Sequence, residues 1–329
     1  MPITLPAQLD EPTVHRGITV IPLYPRRDPE AAYATLAGSL RRGVRITETG
    51  PDGSVPELVV ENPLDEQVLL YDGEELIGAK QNRILNLTVL LAPQSRTPIP
   101  VSCVEAGRWR MRSAAFAAAS HTAGPELRLR KAQVLGAEPL ARGVAQHEVW
   151  DAIAEQSTRR GVSSPTAAHA DLFTHHRAAL RELRQAFPAR PGQCGVILIL
   201  PDGHMCLDYL SRPDAYAEHH DKLLEGYLMD ALDQLDRAAA GNEPAGWLLD
   251  QLALVPLSRR GSAGLGTDLR AATKVMAATG LELDGSCCSS PRTHERRIVG
   301  SANCADNQSL CQESAGRVWN FSWEADSKT

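Results

Sequence analysis

The chain has 329 residues, with 34 basic and 40 acidic residues that are well mixed and give a formal net charge of -6. This balance argues against nucleic acid or a membrane surface as a partner, since both select strongly basic surfaces. Hydrophobic residues make up 43% of the chain, which is enough for a substantial core, and the apolar runs are far too short to span a bilayer.

The beginning of the chain, 1–14, lacks the basic and apolar regions of a secretory signal, so the sequence predicts a cytoplasmic protein. Seven cysteines are present. Cys103, Cys194 and Cys206 stand singly in strand-like sequence, and the other four lie close together near the end of the chain. Cytoplasmic cysteines stay reduced, so no disulfide framework is expected.

The first third of the chain is predicted to be rich in strands. Its apolar segments are separated by proline, glycine, aspartate and asparagine. They are 17–24, 57–61, 66–71, 83–92 and 98–105. A helix is predicted over 28–40, because Asp28 and Pro29 suit its N-cap and first turn.

The segment "YDGEELIGAKQNRILN" (71–86) places many polar groups between strand-like flanks. Its Asp-Gly pair predicts a two-residue hairpin turn, because both central residues of such a turn need positive φ. The resulting register pairs residue 71 with Glu74 and residue 70 with Glu75, so the two glutamates point to opposite faces of the sheet. Gly78 is the expected position of a bend that returns the next polar residues toward that turn.

A second polar segment, 102–109, follows one short loop later and is expected to pair with the strand over 83–92. Strand parity places Cys103 and Glu105 on one face of the sheet, and the cation of Arg108 and the indole of Trp109 follow in the chain. The sequence therefore predicts one pocket shared by this segment and residues 75–86.

Helical periodicity dominates the middle of the chain, over 146–160 and 169–187. A second hairpin is predicted at 195–210, and a long amphipathic helix over 212–240. Because strands do not alternate regularly with helices, the sequence predicts an α+β fold. An antiparallel, strand-rich N-terminal half packs against a helical middle, and the second hairpin and long helix complete the core.

One domain is predicted over 14–284. Its parts are the strand-rich region 14–110, the helical region 111–189, the hairpin with the long helix 190–241, and a final segment 242–284. Within the final segment, "GSAGLG" favours a flexible linker over a phosphate-binding loop, and "TDLRAATKVMAATG" looks helical. The tail, 285–329, loses periodicity and predicts poor order. Its cysteines form no Cys-x-x-Cys unit, so a zinc site is not predicted there.

The motifs "DGEELIGAKQNRILN" and "IPVSCVEAGRW", with "VWDAIA", "SSPT" and "LDYLSRPDAY" downstream, resemble one protein family. It is the family associated with ADP-ribosylglycohydrolases, rhodaneses and phosphatase-superfamily enzymes, and the resemblance runs from about 17 to about 284. It implies a cytoplasmic prokaryotic protein linked to NAD and ADP-ribose metabolism and to enzymes that process ADP-ribose. After "GLELDG" the chain departs from the family, where an apolar strand is usual, so the tail reads as aberrant.

The resemblance also implies which positions carry the family's polar residues. They are Glu74, Glu75, Lys80, Gln81, Asn82, Arg83, Asn86, Cys103, Glu105, Arg108 and Trp109, with Gln146, Trp150, Ser164, Thr166 and Asp208 further on.

Several of these residues suit a phosphorylated ligand. Arg83 can bind phosphate oxygens bidentately and Lys80 adds a mobile charge, although a solvated hairpin end is the alternative. Glu75 or Glu105 is the candidate acid/base group. Cys103 is a candidate nucleophile with no histidine close in sequence, and a structural role is its alternative.

The remaining candidates would recognise the rest of a nucleotide-derived ligand. Gln81, Asn82 and Asn86 would orient the ribose or the base, and Glu74 would accept hydrogen bonds from ribose hydroxyl groups. Arg108 with Trp109 would stack on a ring of the ligand, or Trp109 would close one end of the core. The pairs 175–176 and 219–220 are adjacent histidines that diverge by about 100° on a helix, so solvated faces and no metal site are predicted.

The sequence therefore predicts an enzyme that acts on a phosphorylated, nucleotide-derived metabolite, with no cofactor identified. Two alternatives stay open because no nucleophile–base pair is visible. One is a non-catalytic binding or sensor module for the same ligand class. The other is a structural partner of neighbouring enzymes.

Overall fold

A computed structural model of the chain describes residues 5–26, 32–137, 142–237, 248–250, 254, 256–273, 276–283 and 317–323. Within these residues the helices are α1 (Leu36–Leu40), α2 (Pro125–Ala137), α3 (Arg142–Arg159), α4 (His169–His175), α5 (Arg177–Arg184) and α6 (Pro213–Ala231).

The strands of the described residues number eighteen. They are β1 (Ala7–Leu9), β2 (Thr13–His15), β3 (Ile18–Pro25), β4 (Ala34–Thr35), β5 (Arg45–Glu48), β6 (Glu57–Asn62), β7 (Val68–Leu70), β8 (Glu74–Gly78), β9 (Arg83–Leu85), β10 (Val89–Leu91), β11 (Ser95–Cys103), β12 (Phe116–Thr122), β13 (Gly195–Ile199), β14 (Met205–Leu210), β15 (Ser258–Gly261), β16 (Thr267–Ala272), β17 (Met276–Glu282) and β18 (Arg317–Trp323).

These strands form three sheets that are antiparallel except for the parallel pair β4 and β7. The largest has the order β1-β3-β13-β14-β18-β17-β16-β15, with β2 paired to β3. The second is the six-stranded sheet β12-β8-β9-β11-β6-β5, and the third is the short sheet β10-β7-β4. The fold is therefore α+β, as the sequence predicts.

Apolar side chains from the sheets and helices form four buried clusters. The largest joins the apolar stripe of α6 to β13 and β14, and includes Tyr216, Leu224 and Leu198. One face of the six-stranded sheet packs on α2 and α3 around Ile84. Its other face contributes Leu76 to a second core. Both faces of this sheet are therefore covered, which explains why its strands are apolar on both sides.

The turn at Asp72-Gly73 forms, but it does not join a hairpin in the predicted register. The Glu74 N–H donates to the Tyr71 carbonyl (3.1 Å), and Gly73 has a φ of 87°. However, β7 pairs with β10, and β8 pairs with β9 and β12. The predicted pairing of Leu70 with Glu75 is therefore wrong.

The true hairpin is longer and turns later. Leu70 lies opposite Val89, and Glu75 lies opposite Ile84, so both pairs belong to one register over 68–91. Its tip is 78–82, where Gly78 and Ala79 have φ values of 131° and 37°. The bend expected at Gly78 is thus present, and the Asp-Gly turn is a corner inside the first arm.

The segment 83–92, predicted as one strand, is likewise divided between two sheets. Arg83–Leu85 pairs with Val101–Cys103, as the prediction of neighbouring strands requires. Val89–Leu91 pairs instead with Val68–Leu70 in the short sheet. One predicted strand is therefore two strands that belong to different sheets.

Other segments divide into confirmed and corrected predictions. The helix over 146–160 is found as α3, and β13 with β14 forms the second hairpin. The helix over 212–240 is shorter than predicted, because α6 ends at Ala231 and 232–237 is not helical, while 238–240 lies outside the described residues. The helix over 169–187 is divided at His176 into α4 and α5. Of the helix over 28–40 only α1 is helical in the described part, and Ala34–Thr35 is a strand.

The segments after 260 differ most from the prediction. The helix-like sequence 267–280 forms most of β16 and β17, which pair with each other. The predicted poorly ordered tail lies outside the described residues except for 317–323. That stretch is β18, which pairs with β14 on one side and β17 on the other. Backbone pairing on both edges overrides the weak local pattern of these segments.

Candidate functional site

Three buried side chains converge on one point from three separate elements. Glu75 of β8 accepts hydrogen bonds through a single oxygen, Oε2. His121 Nε2 of β12 lies 2.9 Å from it and His169 Nδ1 of α4 lies 2.7 Å from it. One ligating atom from each residue lies within 4.8 Å of the others. We call Glu75, His121 and His169 the Glu75 cluster.

The backbone places each member of the Glu75 cluster. Register is lost between Ala118 and Thr122 of β12, and this irregularity turns His121 toward β8. His169 is the first residue of α4, and its N–H donates to the Val104 carbonyl (2.9 Å). The start of α4 is thereby fixed to the strand-rich half of the molecule.

Glu75 is ionised in this environment. Burial alone would raise its pKa, but the charges and hydrogen bonds of His121 and His169 outweigh that effect and lower the pKa to about 2. Within the part of the chain that the structure describes, Glu75 Oε1 and His121 Nδ1 are buried without a hydrogen-bond partner. The cluster therefore has unused bonding capacity.

Through His121, the Glu75 cluster borders a groove of about 500 Å³ between β12 and the helices α4 and α5. His121 and Phe173 form part of its floor, and their rings stack at 3.7 Å. Arg177, Arg181 and Arg184 line one wall. They follow at i, i+4 and i+7 and therefore share one face of α5. We call this feature the arginine groove.

The arginines of the groove differ in their partners. Arg184 Nη1 contacts Glu225 (3.0 Å) and Asp221 (3.3 Å). Arg177 and Arg181 are exposed and form no ion pair with the other described residues. Two cations are thus available to an anionic ligand in the groove.

The predicted phosphate-binding residues lie on the opposite face of the six-stranded sheet. Paired residues share a face. Glu75 pairs with Ile84, whereas Arg83 pairs with Leu76 and Cys103. The structure therefore does not bring Glu75 and Arg83 into one pocket.

Arg83 is fully buried at the end of the core on that second face. Its Nη1 donates to Gln81 Oε1 (3.1 Å), and its Nη2 lies 3.9 Å from Glu48 Oε2. Its Nε and Nη2 have no hydrogen-bond partner among the described residues. Burial lowers the pKa of Arg83, while Cys103 and Glu48 act in the opposite direction.

Trp109 covers these cations from the outside. The Lys80 ammonium lies 5.4 Å and the Arg83 guanidinium 5.6 Å from the ring centroid. The indole is 47% exposed, so its other face is open to solvent. We call Lys80, Gln81, Arg83, Cys103 and Trp109 the Arg83 cluster.

Cys103 contributes a buried thiol to this cluster. Burial raises its pKa to about 11, although the Arg83 charge acts against the increase. The Cys103 N–H donates to Gln146 Oε1 (2.7 Å), and Gln146 Nε2 donates to the Cys103 carbonyl (2.8 Å). The thiol is therefore protonated at neutral pH, which is the inactive form for a nucleophile.

Glu105 and Arg108 form a closed ion pair. Glu105 Oε1 accepts from Arg108 Nε (2.8 Å) and Thr166 Oγ1 (2.9 Å). Its Oε2 accepts from Arg108 Nη2 (2.6 Å) and the Asn82 N–H (3.1 Å). Arg108 also donates to the carbonyls of Gly78 and Ala79. This pair clamps the hairpin tip and leaves no free oxygen on Glu105.

The other predicted residues lie elsewhere. Glu74 points away from Glu75, as expected, and its Oε1 is 3.2 Å from Lys222 Nζ. Asn86 accepts a hydrogen bond from Ser102 Oγ (3.0 Å). Asp208 is buried and accepts hydrogen bonds from Tyr71, Arg128 and Tyr227.

Sequence reasoning missed His121, His169 and the arginines of α5. His121 and His169 stand 46 and 94 residues from Glu75 in the chain, so no local motif links them. The arginine spacing on α5 was a usable signal. The histidine pair 219–220, expected on a solvated face, is buried instead. His219 Nδ1 lies 2.9 Å from the Ala215 carbonyl.

Together these observations define an α+β protein with a buried carboxylate–imidazole cluster that borders a cationic groove. A family model described as "ARPP-1: ARG and Rhodanese-Phosphatase-superfamily-associated Protein domain" matches residues 6–291, and the chain belongs to that family. No curated protein and no solved structure matches the chain. Within the described residues, no helix has both the length and the apolarity needed to cross a membrane.

Proposed function

We propose that the chain is an enzyme that acts on a phosphorylated, nucleotide-derived metabolite in NAD or ADP-ribose metabolism. The observation that carries this proposal is the arginine groove, where His121, the partner of the Glu75 carboxylate, lines the same cavity as three arginines. Arginine binds phosphate oxygens bidentately, and a carboxylate–imidazole group can activate water. The family's association with ADP-ribosylglycohydrolases supports this ligand class.

In this proposal Glu75 is the catalytic carboxylate, and both Arg177 and Arg181 bind the phosphate group of the ligand. Glu105 is the weaker candidate because four hydrogen bonds occupy both of its oxygens. Glu75 keeps Oε1 free of hydrogen bonds to the described residues, and its Oε2 contacts His121, which lines the groove. A reacting group needs such free capacity at the substrate.

The test is a screen of ADP-ribose, its phosphates, NAD and NADP by calorimetric binding and by product analysis. Arg177→Ala/Arg181→Ala should weaken binding of the active ligand by at least about 100-fold, because each of the two charged hydrogen bonds contributes about 1.5–3 kcal/mol. Arg45→Ala/Arg96→Ala, on distant strands, is the matched control. Glu75→Gln should abolish turnover and keep binding. Unchanged binding in the groove variant would contradict the proposal.

A second candidate function is non-catalytic ligand binding at the Arg83 cluster. The buried Arg83 guanidinium favours it, because two of its nitrogens have no hydrogen-bond partner among the described residues and an anion beside Lys80 would supply one. The open face of Trp109 offers a surface for a base.

One pair of variants separates the two candidates. Under the second candidate, Trp109→Ala should weaken nucleotide binding at least about tenfold, since one stacked base contributes about 1–3 kcal/mol. Met111→Ala is the control, because Met111 is 53% exposed in the same loop. Full affinity in Trp109→Ala, with loss in the groove variant, excludes the second candidate.

A further inference from the structure

The Glu75 cluster has the composition of a metal site. We infer that Glu75, His121 and His169 bind one divalent transition-metal ion of the zinc type. Two imidazole nitrogens and one carboxylate oxygen are the protein ligands of many catalytic zinc sites, which keep a fourth position for water or substrate. All three residues are buried, and they come from β8, β12 and α4.

The distances suit such an ion after a small adjustment. Ligands about 2.0–2.1 Å from a tetrahedral ion lie about 3.3 Å from one another. Glu75 Oε2 lies 2.9 Å from His121 Nε2 and 2.7 Å from His169 Nδ1, and no pair of ligating atoms exceeds 4.8 Å. To bind the ion, each imidazole nitrogen would therefore move about half an ångström away from Glu75 Oε2.

A second observation points the same way. The Glu75 Oε1 atom is buried and has no hydrogen-bond partner in the described residues. A buried carboxylate oxygen without a partner is costly. If the cluster were only a hydrogen-bonded support for α4, both oxygens would be expected to have donors, as in Glu105. A cation at the cluster would remove this imbalance.

The position of the cluster defines the substrate class. His121 belongs to the cluster and also lines the arginine groove together with Arg177 and Arg181, so an ion at the cluster would lie beside that groove. An ion here would contact a phosphorylated or otherwise anionic ligand held by those arginines. This step rests on the proposed function, whereas the binding of the ion itself does not.

The test measures metal binding directly on the full chain. Chelator-treated protein is titrated with Zn²⁺ and Co²⁺ by calorimetry and absorption spectroscopy, and bound metal is counted by elemental analysis. One equivalent should bind, and Glu75→Gln and His169→Gln should each weaken binding at least about 100-fold, since even the loss of a residue that hydrogen-bonds a metal ligand costs about 10- to 100-fold. His175→Ala is the control, because His175 is exposed on the same helix.

Folding and competing ligands are controlled separately. Each variant is checked by circular dichroism, and Zn²⁺ should raise the Tm of the parent chain but not of Glu75→Gln. A chain with Cys287, Cys288, Cys304 and Cys311 changed to serine should keep the site. Binding that disappears in this serine chain, or that is unchanged in folded Glu75→Gln and His169→Gln, overturns the inference.

The outcomes also separate this inference from the proposed function. If no metal binds at the cluster and the metal-free protein fully turns over a phosphorylated nucleotide, the metal inference is overturned and the proposed function stands. Stoichiometric metal at the cluster, without turnover of any phosphorylated nucleotide, would support the metal inference and count against the proposed function.

Discussion

At the residue scale, two buried glutamates of the same family motifs have different roles because their partners differ. Glu105 is saturated by Arg108, Thr166 and the Asn82 backbone, and these donors, acting against burial, lower its pKa. Glu75 shares one oxygen between two imidazoles and leaves the other oxygen without a described partner. The sequence identifies both residues as polar, but it does not show which donors reach each carboxylate, because His121 and His169 stand 46 and 94 residues from Glu75.

Cys103 illustrates the same distinction for a nucleophile. A thiol with a pKa of about 11 is protonated at pH 8 and reacts slowly. Iodoacetamide at pH 8 should therefore leave Cys103 unlabelled in the folded protein and label it after denaturation, as peptide mass analysis would detect. Cys103→Ala should keep turnover. Rapid labelling of the folded protein would show an activated thiol and contradict a structural role.

Asp230 provides a pH-dependent prediction remote from the groove. Burial, followed by the charge of Glu126, raises its pKa to about 6, above the unfolded value of about 3.9. The folded state therefore holds the proton more tightly, and this contribution to stability is full below pH 4 and lost as pH rises through 6.

Asp230→Asn removes that dependence. The free energy of unfolding of the variant minus that of the parent chain should increase by about 2–3 kcal/mol between pH 4 and pH 7, since one pKa unit corresponds to 1.36 kcal/mol. Urea denaturation at several pH values measures this difference. A difference that does not change with pH would contradict a buried carboxyl with a raised pKa.

At the element scale, the long hairpin over 68–91 shows what local signals can predict. Gly78 was identified as a bend, and it begins the tip of the hairpin. The Asp-Gly turn was a stronger local signal, yet it forms a corner between two sheets. The turn forms a corner because the strands on its two sides have different partners: β7 pairs with β10, and β8 pairs with β12. Turn chemistry predicts a change of direction, and the partner strands decide which strands pair.

Gly78→Ala tests the tip. The residue has a φ of 131°, and an added Cβ would lie 2.5 Å from Ser113 Oγ and 3.1 Å from the Ala115 carbonyl. Both strain and contact should reduce the free energy of unfolding by about 2–4 kcal/mol. Gly50→Ala is the control, because nothing lies within 4 Å of its added Cβ. Equal stability of the two variants in urea denaturation would contradict the tip conformation.

At the scale of the whole molecule, buried cations of α2 tie two sheets together. Lys131 pairs with Asp72 and donates to the Leu85 carbonyl (2.8 Å), both in the long hairpin. Arg128 pairs with Asp208 of the largest sheet (2.5 Å). Sequence patterns assign lysine and arginine to solvent, so these buried contacts were not predicted, although α2 lies within the predicted helical region 111–189. The α+β class was predictable because it depends only on the order of apolar segments.

The strand β18 provides the last test of the molecule as a unit. It lies beyond the family match, which ends at 291, yet its backbone pairs with β14 and β17 inside the matched region. Removing 292–329 would leave β14 and β17 each without a neighbouring strand on one side, so the N–H and carbonyl groups that face β18 would be unpaired. The loss should approach the whole stability of a domain, about 5–15 kcal/mol. Removing only 324–329, which keeps β18, is the matched control. Thermal unfolding and amide exchange in β14 and β17 measure the effect. A shortened chain with the parent Tm and protected amides in both strands would show that β18 is dispensable.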